Sequence, residues 1–199
     1  MRVTHHLQRA TTAAALAALV AGCRGDAVAP IAMQSVSPSA AISGTGSPTS
    51  FTYDPRTATT FYLGGQHKIS FAANAVCDPA VSTYGVTQWD EPCTPLAAPI
   101  TITSRAYSDA QGRPRVDFSP ALRFVPGREV VLYLRDKDAA GDSTAVIQWC
   151  GETGACITEA ATQPSYETKR DQAVGIVYRA IKHFSGYMIS SGRIDVAIE

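Results

Sequence analysis

The stretch Ala173-Val-Gly-Ile-Val-Tyr-Arg-Ala-Ile-Lys182 is the part of this 199-residue sequence that is most informative about its fold. Successive side chains of a strand point to opposite faces. One face of an extended chain here is apolar throughout, with Val174, Ile176, Tyr178 and Ala180. The other face is mixed, with Val177, Arg179, Ile181 and His183. A strand that is apolar on one side and mixed on the other predicts a central position in a two-sheet sandwich.

Short runs with period-two alternation or β-branched enrichment continue on both sides of this stretch. The candidate strands are 67–72, 100–107, 115–118, 129–135, 145–149, 173–182, 186–189 and 193–198. Turn residues separate them, as in Gly64-Gly65 and Val125-Pro-Gly127. Because no long helical period lies between the strands, we predict an all-β fold, an antiparallel β-sandwich of the two-sheet, immunoglobulin-like kind. Only the polar piece 164–171 is expected to add a short helical turn.

The N-terminal residues have the pattern of an export signal. Arg2 and Arg9 precede a run of 13 residues, 10–22, rich in Ala, Leu and Val, which suits a signal peptide and is too short to span a membrane as a helix. The run ends in Val20-Ala-Gly-Cys23, which resembles a bacterial lipobox. That resemblance implies that Cys23 receives a diacylglyceryl group, becomes the new N-terminus and is acylated again, for example with palmitate. The alternative is an ordinary signal peptide whose cleavage site lies beside a cysteine.

The predicted organisation is a signal peptide (1–22), a lipidated Cys23 with a flexible tether (23–50), and one sandwich domain (51–199). The tether prediction rests on Ala, Ser, Pro, Gly and Thr, with hardly a large apolar side chain in 24–50. Arg24, rather than aspartate, follows the cysteine. In bacteria with two membranes this resembles the sorting signal for the outer membrane, so we expect an envelope protein there.

The charge pattern gives little support to a nucleic-acid surface. All 17 acidic residues follow Cys23 and two of the 17 basic residues precede it, so the mature chain carries a formal charge of about −2. The mature chain has no second long apolar stretch, so we expect membrane attachment through lipid alone. No cofactor is expected, and a protein partner is expected but not identified.

Four cysteines remain in the mature chain besides Cys23, namely Cys77, Cys93, Cys150 and Cys156. An even count in an exported protein indicates disulfides. Three pairings are possible, and we favour Cys77–Cys93 and Cys150–Cys156 because each pair flanks a loop rich in Pro, Gly and polar residues. We expect no zinc, because the spacing is not of the CxxC type and the mature chain has only two histidines, His67 and His183.

A series of short motifs resembles the ZU-5 domain, shared by zonula occludens scaffolds, netrin receptors, ankyrins and many bacterial surface lipoproteins. The motifs are Lys68-Ile-Ser-Phe71, Asn74-Ala-Val76, Pro99-Ile-Thr-Ile102, Val116-Asp-Phe-Ser-Pro120, Leu122-Arg-Phe124, Val130-Val-Leu-Tyr133 and His183-Phe-Ser-Gly-Tyr187. The resemblance covers roughly residues 62–190 and implies a ZU-5-like sandwich. Eukaryotic relatives often carry a second, similar domain, whereas only one further strand is expected here.

The segment His183-Phe184-Ser185 resembles the site at which several ZU-5-containing proteins cut themselves. The resemblance implies that Ser185 attacks the Phe184 carbonyl, that His183 acts as general base or polarises the amide, and that the Phe184–Ser185 bond breaks. The alternative is structural. In that case Phe184 belongs to the core, Tyr187 is buried with its hydroxyl bonded, and His183 and Ser185 face outward.

Other motifs favour no further chemistry. The segment from Asp136 to Asp142 imitates the start of a calcium loop but lacks the ligands at Ala140 and Ile147, so we expect a solvated hairpin loop. No signature of a known enzyme class is present, and His67 is expected to be a satisfied surface group.

The predicted function is therefore a non-catalytic binding or structural module at the envelope. The first alternative is a self-cleaving domain. The second is a carbohydrate- or cell-wall-binding module, which exposed Trp89 and Trp149 side chains on one surface would favour.

Overall fold

The structure, a computed structural model, describes residues 46–151, 155–161 and 163–190. Within them the strands are β1 (Pro48–Tyr53), β2 (Thr59–Tyr62), β3 (Lys68–Phe71), β4 (Ile100–Ser108), β5 (Pro114–Ser119), β6 (Val130–Arg135), β7 (Val146–Cys150), β8 (Cys156–Ile157), β9 (Lys169–Asp171), β10 (Ile176–Ala180) and β11 (Gly186–Ser190). The helical elements of the same residues are α1 (Lys137–Gly141) and the 3-10 turns Glu159–Ala161 and Pro164–Tyr166.

The strands form two antiparallel sheets that pack together. The six-stranded sheet has the order β1-β4-β5-β11-β7-β8, and the five-stranded sheet has the order β2-β3-β6-β10-β9. The prediction of an all-β antiparallel sandwich is confirmed. The sandwich forms because burial alternates along strands such as β5 and β6, so that every second side chain enters the space between the sheets.

Aromatic rings occupy much of that space. The Phe184 ring is fully buried and stacks on Phe118 with a centroid distance of 4.3 Å. Phe71 and Phe124 contact Phe184 edge-to-face at 5.9 and 5.0 Å. Burying one such side chain stabilises the fold by roughly 1.5–3 kcal/mol, so Phe184 is part of the main core.

The stretch 173–182 is central in its sheet, as predicted, because β10 lies between β6 and β9. The strand is shorter than the prediction: 172–175 form a turn in which Gly175 has a φ of +68°, a conformation that glycine adopts at low cost. The buried face is the mixed one, with Val177 and Arg179 at 0% and 1% exposure.

Strand β1 begins at Pro48, inside the range predicted as tether. Its polar residues pair with strand β4, and the hydroxyls of Ser50 and Thr103 lie 2.9 Å apart across the two strands. Strand β2 was not among the candidates, because only Phe61 of its four residues packs against the core. The expected turn within 164–171 is a 3-10 turn at Pro164–Tyr166, followed by β9. The candidate strand 193–198 and residues 1–45 lie outside the described part of the chain.

The prediction of a hairpin loop at 136–142 was wrong. Strands β6 and β7 belong to different sheets, so their connection crosses the sandwich, and it contains helix α1. Asp136 caps this helix by accepting hydrogen bonds from the backbone N–H groups of Asp138 and Ala139. Ala139 and Ala140 are buried. The apolar pair and the capping carboxylate together explain a helix where the acidic residues alone indicated a loop.

The prediction that His67 is a surface group was also wrong. The side chain is 7% exposed, and its Nδ1 accepts a hydrogen bond of 2.9 Å from the backbone N–H of Arg135. Burial lowers the pKa of His67. The residue is therefore a neutral histidine that satisfies a backbone donor at one end of the sandwich.

Candidate functional site

The segment 181–185 carries the chain from the five-stranded to the six-stranded sheet. Its backbone is hydrogen-bonded to the connection between β5 and β6: Phe124 N–H donates to Lys182 O (2.9 Å), and Phe184 N–H donates to Leu122 O (2.6 Å). The next residue, Ser185, is held as well, because its carbonyl oxygen accepts a hydrogen bond of 3.0 Å from the backbone N–H of Phe118. The Phe184–Ser185 peptide is thus fixed on both sides.

Tyr187 is fully buried, and its hydroxyl donates to the carbonyl oxygen of His183 at 2.9 Å. Burial raises the pKa of this hydroxyl well above its usual value, so it remains a neutral donor. The aromatic side chains at 184 and 187 are therefore placed as the structural alternative expects.

His183 does not face outward, which corrects the structural alternative. It is 0% exposed, and its ring stacks on Trp89 with a centroid distance of 3.6 Å. Its Nε2 lies 3.1 Å from Glu159 Oε1. Burial lowers the pKa of His183, although the hydrogen bond and charge of Glu159 act in the opposite direction. We therefore assign a neutral ring whose Nε2–H donates to the carboxylate.

Glu159 is a buried carboxylate that Arg179 neutralises. The Arg179 guanidinium lies 2.6 Å from Glu159 Oε2 and also donates to the carbonyl oxygens of Ile147 (2.8 Å) and Ala180 (3.0 Å). Burial acts to raise the pKa of Glu159, but the His183 hydrogen bond and the neighbouring cationic groups outweigh it and lower the pKa. The carboxylate therefore stays charged, at the centre of a buried Arg179–Glu159–His183 network.

Tyr84 connects this network to the peptide bond that self-cleavage would break. Its hydroxyl donates to the carbonyl oxygen of Phe184 at 2.6 Å and lies 3.2 Å from Nδ1 of His183. A donor on this oxygen stabilises negative charge that develops there during attack on the carbonyl carbon. The sequence indicated no role for Tyr84.

Ser185 is half-buried, and its Oγ accepts a hydrogen bond from Nε1–H of Trp149. The ring nitrogens of His183 face Glu159 and Tyr84, and neither is hydrogen-bonded to Ser185 Oγ among the described contacts. The arrangement thus favours polarisation of the Phe184 carbonyl over a general-base role of His183 on Ser185.

Both predicted disulfides are present, Cys77–Cys93 and Cys150–Cys156. The first encloses the segment that carries Tyr84 and Trp89. The second joins directly opposite residues of β7 and β8, next to Trp149. The first loop therefore supplies two side chains to the segment 183–185, and the second disulfide begins one residue after Trp149, which also contacts that segment.

Sequence reasoning missed Tyr84, Glu159 and Arg179. A signal existed for Arg179, because a cation that alternates with buried Val177 and Ile181 on a central strand needs a buried partner. No local pattern pointed to Glu159 or Tyr84, which are distant along the chain from His183.

The tryptophans do not form an exposed platform. Trp89 is 6% exposed, Trp149 is half-buried, and their rings meet edge-to-face at 5.0 Å. Within the described ranges, no group of three or more His, Cys, Asp or Glu side chains is placed to hold a metal ion.

Apart from the segment 181–185, the outer face of the five-stranded sheet carries a distinct surface feature. One register row crosses all its strands, and we name it the tyrosine–lysine row: Tyr62, Lys68, Tyr133, Tyr178 and Lys169. The rings of Tyr133 and Tyr178 stack at 5.4 Å, and the Lys68 ammonium lies 4.5 Å from the Tyr133 centroid. Tyr62 is 73% exposed.

Comparisons with protein-family models, with curated proteins and with solved structures find no match to this chain. The proposed lipidation site, Cys23, lies outside the described residues. In the part of the chain that is described, none of the helices has the length and apolar character needed to cross a bilayer.

Proposed function

We propose that this protein is a lipid-anchored component of the bacterial cell envelope, in the outer membrane where the organism has two membranes. Its sandwich acts as a non-catalytic binding or structural module for a protein partner. The tyrosine–lysine row is the observation that supports a binding role. It is an outer surface that combines stacked tyrosine rings with lysine side chains, and tyrosine is enriched where proteins meet.

The anchor is tested by metabolic labelling with a palmitate analogue and by cell fractionation. The wild-type chain is expected in the membrane fraction and labelled, whereas Cys23→Ser is expected to lose both properties because no acyl chain can be attached. Equal labelling or equal membrane association of the two chains would refute the anchor.

The binding face is tested with a photo-crosslinking amino acid placed at Tyr62 or Tyr178 in living cells. The matched control position is Ser165, which is exposed outside the tyrosine–lysine row. Adducts of one defined mass are expected from the two row positions, because a partner lies against this face, and not from position 165. Adducts that form equally from all three positions, or from none, would count against this face.

A second candidate function is self-cleavage between Phe184 and Ser185. The specific observation in its favour is the hydrogen bond of 2.6 Å from the Tyr84 hydroxyl to the Phe184 carbonyl oxygen. Cleavage releases the 15-residue peptide 185–199 under denaturing conditions, and neither disulfide holds that peptide to the rest of the chain. The test is an intact mass spectrum of the wild type beside Ser185→Ala. An uncut chain in both samples would end this candidate.

A further inference from the structure

Tyr84 and Trp89 of the Cys77–Cys93 loop contact the segment 183–185. Tyr84 reaches the Phe184 carbonyl, and Trp89 covers the His183 ring. Both depend on the path of the loop 78–92, whose ends the disulfide joins. The hydroxyl that donates to the Phe184 carbonyl oxygen is thus supplied by a loop with a covalent constraint.

The second half of this loop has anchors of its own. Arg123 is 5% exposed and donates to the carbonyl oxygens of Glu91 (2.8 Å) and Pro92 (3.3 Å). The Lys182 ammonium lies 2.8 Å from the Asp90 carboxylate. These contacts hold residues 90–92 against the sandwich.

Two valines on either side of Tyr84 are exposed to solvent. Val81 and Val86 are 69% and 63% exposed. The backbone hydrogen bonds of Val81 and Ser82 are local, to Asp78 O. Tyr84 lies between these exposed positions. The disulfide at Cys77 adds a covalent constraint to the backbone hydrogen bonds from Cys77 to Arg123 O (3.0 Å) and from Asp78 to Thr94 O (2.8 Å), and so limits how far the Tyr84 hydroxyl can move.

We infer that Tyr84 is the residue that polarises the Phe184 carbonyl for self-cleavage, and that the Cys77–Cys93 disulfide makes cleavage depend on oxidation. This inference rests on self-cleavage, the second candidate function. It assigns to Tyr84 the role of an oxyanion donor and to the disulfide the role of holding that donor in place. The chain then cuts itself only after it has reached an oxidising compartment.

The step balances without any further reactant except water. Ser185 Oγ bonds to the carbonyl carbon of Phe184, the carbon–nitrogen bond to Ser185 breaks, and the hydroxyl proton passes to the departing nitrogen. An ester results, with a free amine on Ser185. Water then hydrolyses the ester, leaving a carboxylate on Phe184 and the hydroxyl on Ser185. During the attack, Tyr84 donates to the oxygen on which negative charge develops.

The Trp149 contact fits this role of Ser185. An indole N–H can only donate, so Ser185 Oγ is the acceptor in that contact and keeps its own proton for transfer to the departing nitrogen. Trp149 thereby fixes the side-chain rotamer of the nucleophile while Tyr84 engages the carbonyl. Trp149 and Tyr84 thus contact the attacking oxygen and the carbonyl oxygen, respectively.

The experiment uses the exported full-length chain and follows release of the peptide 185–199 by denaturing mass spectrometry over time. Tyr84→Phe removes only the hydroxyl, and its matched control is Thr83→Val, which removes an exposed hydroxyl from the neighbouring position of the same loop. Cys77→Ser/Cys93→Ser removes the disulfide. Urea unfolding of each variant reports whether the domain is folded. Hydroxylamine, which converts the ester to a hydroxamate on Phe184, captures the intermediate and reports on the attack step separately from hydrolysis of the ester.

The wild type is expected to release the peptide, and Thr83→Val to match it. Tyr84→Phe is expected to be slower by about 100-fold, the usual effect of losing one oxyanion donor, with a matching loss of hydroxylamine capture in a folded domain. The disulfide variant is expected to be slowed to a similar extent.

Each of three outcomes would refute a different part of the proposal. A wild type that stays uncut, with or without hydroxylamine, ends self-cleavage itself. A wild type that cuts while Tyr84→Phe cuts equally fast overturns the role of Tyr84 and leaves self-cleavage standing. A folded disulfide variant that cuts as fast as the wild type overturns the dependence on oxidation.

Discussion

Arg179 is the residue on which the buried charge network depends most directly. It is 1% exposed, and its guanidinium is 2.6 Å from Glu159. In Arg179→Met the Glu159 carboxylate loses its cationic partner inside the fold. We expect a loss of about 3–5 kcal/mol in the free energy of unfolding, the usual effect of breaking a buried ion pair from one side.

The measurement is urea unfolding of Arg179→Met, Glu159→Gln and the double variant. The double variant is expected to be more stable than the sum of the single losses predicts, because no uncompensated charge remains. Additive losses would show that the two side chains are not coupled.

The histidines give the stability a pH dependence. The pKa of His183 is lowered from 6.5 by burial, and that of His67 is lowered for the same reason. The unfolded chain therefore binds more protons than the folded chain once the pH falls below about 6.5. Stability is expected to fall with pH in this window, by at most about 1.4 kcal/mol per pH unit for each histidine.

This prediction is tested by urea unfolding between pH 7.5 and 5.5, a range above the titration of the carboxylates. His183→Gln is expected to remove roughly the share of the pH dependence that His183 contributes, leaving that of His67. An unchanged slope in the variant would contradict the assignment of His183 as the buried neutral ring.

At the level of elements, helix α1 (Lys137–Gly141) depends on its cap more than on its own length. A helix of five residues has no stability in isolation, and Asp136 Oδ1 satisfies two of its backbone donors at 3.0 Å. Asp136→Ala is expected to cost about 1 kcal/mol in the free energy of unfolding. Asp138→Ala, whose carboxylate does not cap the helix, is the matched control. Equal losses in the two variants would show that the effect comes from the removed negative charge and not from capping.

Strand β11 would stay in its sheet after cleavage between Phe184 and Ser185. It lies between β5 and β7, with Tyr187 and Ile189 at 0% and 1% exposure. A cut before this strand would leave it held by two neighbours and by core packing. Cleavage would therefore be invisible in the folded protein, which is why its test requires denaturing conditions.

At the level of the whole molecule, the two disulfides constrain the unfolded chain by different amounts. Their sequence separations are 16 and 6 residues. In the loop-entropy account, removing Cys77–Cys93 is expected to cost about 3 kcal/mol, and removing Cys150–Cys156 somewhat less. Unfolding of the two paired Cys→Ala variants is the measurement. A larger loss from the shorter loop would show that native-state contacts, rather than chain entropy, dominate.

The sequence by itself determined the all-β class, the central place of 173–182 and the pairing of the cysteines. These are local properties: alternation follows from strand geometry, and each cysteine pair closes a short loop. The ends of the strands were less well determined by the sequence. The first three residues of β1, 48–50, fall in the predicted tether because their polar side chains give no strand signal, and it is pairing with β4 that makes them part of the sheet.

Only the tertiary structure decided which side of β10 is buried and what surrounds His183. Glu159 and Tyr84 are 24 and 99 residues away from His183 along the chain. No periodicity or spacing in the sequence indicates that they meet His183 in the fold. Whether a charged side chain is buried depends on whether folding brings it a partner of opposite charge. Arg179 could enter the core because Glu159 is there, so the inner face of β10 was settled by packing between the sheets rather than by its own residues.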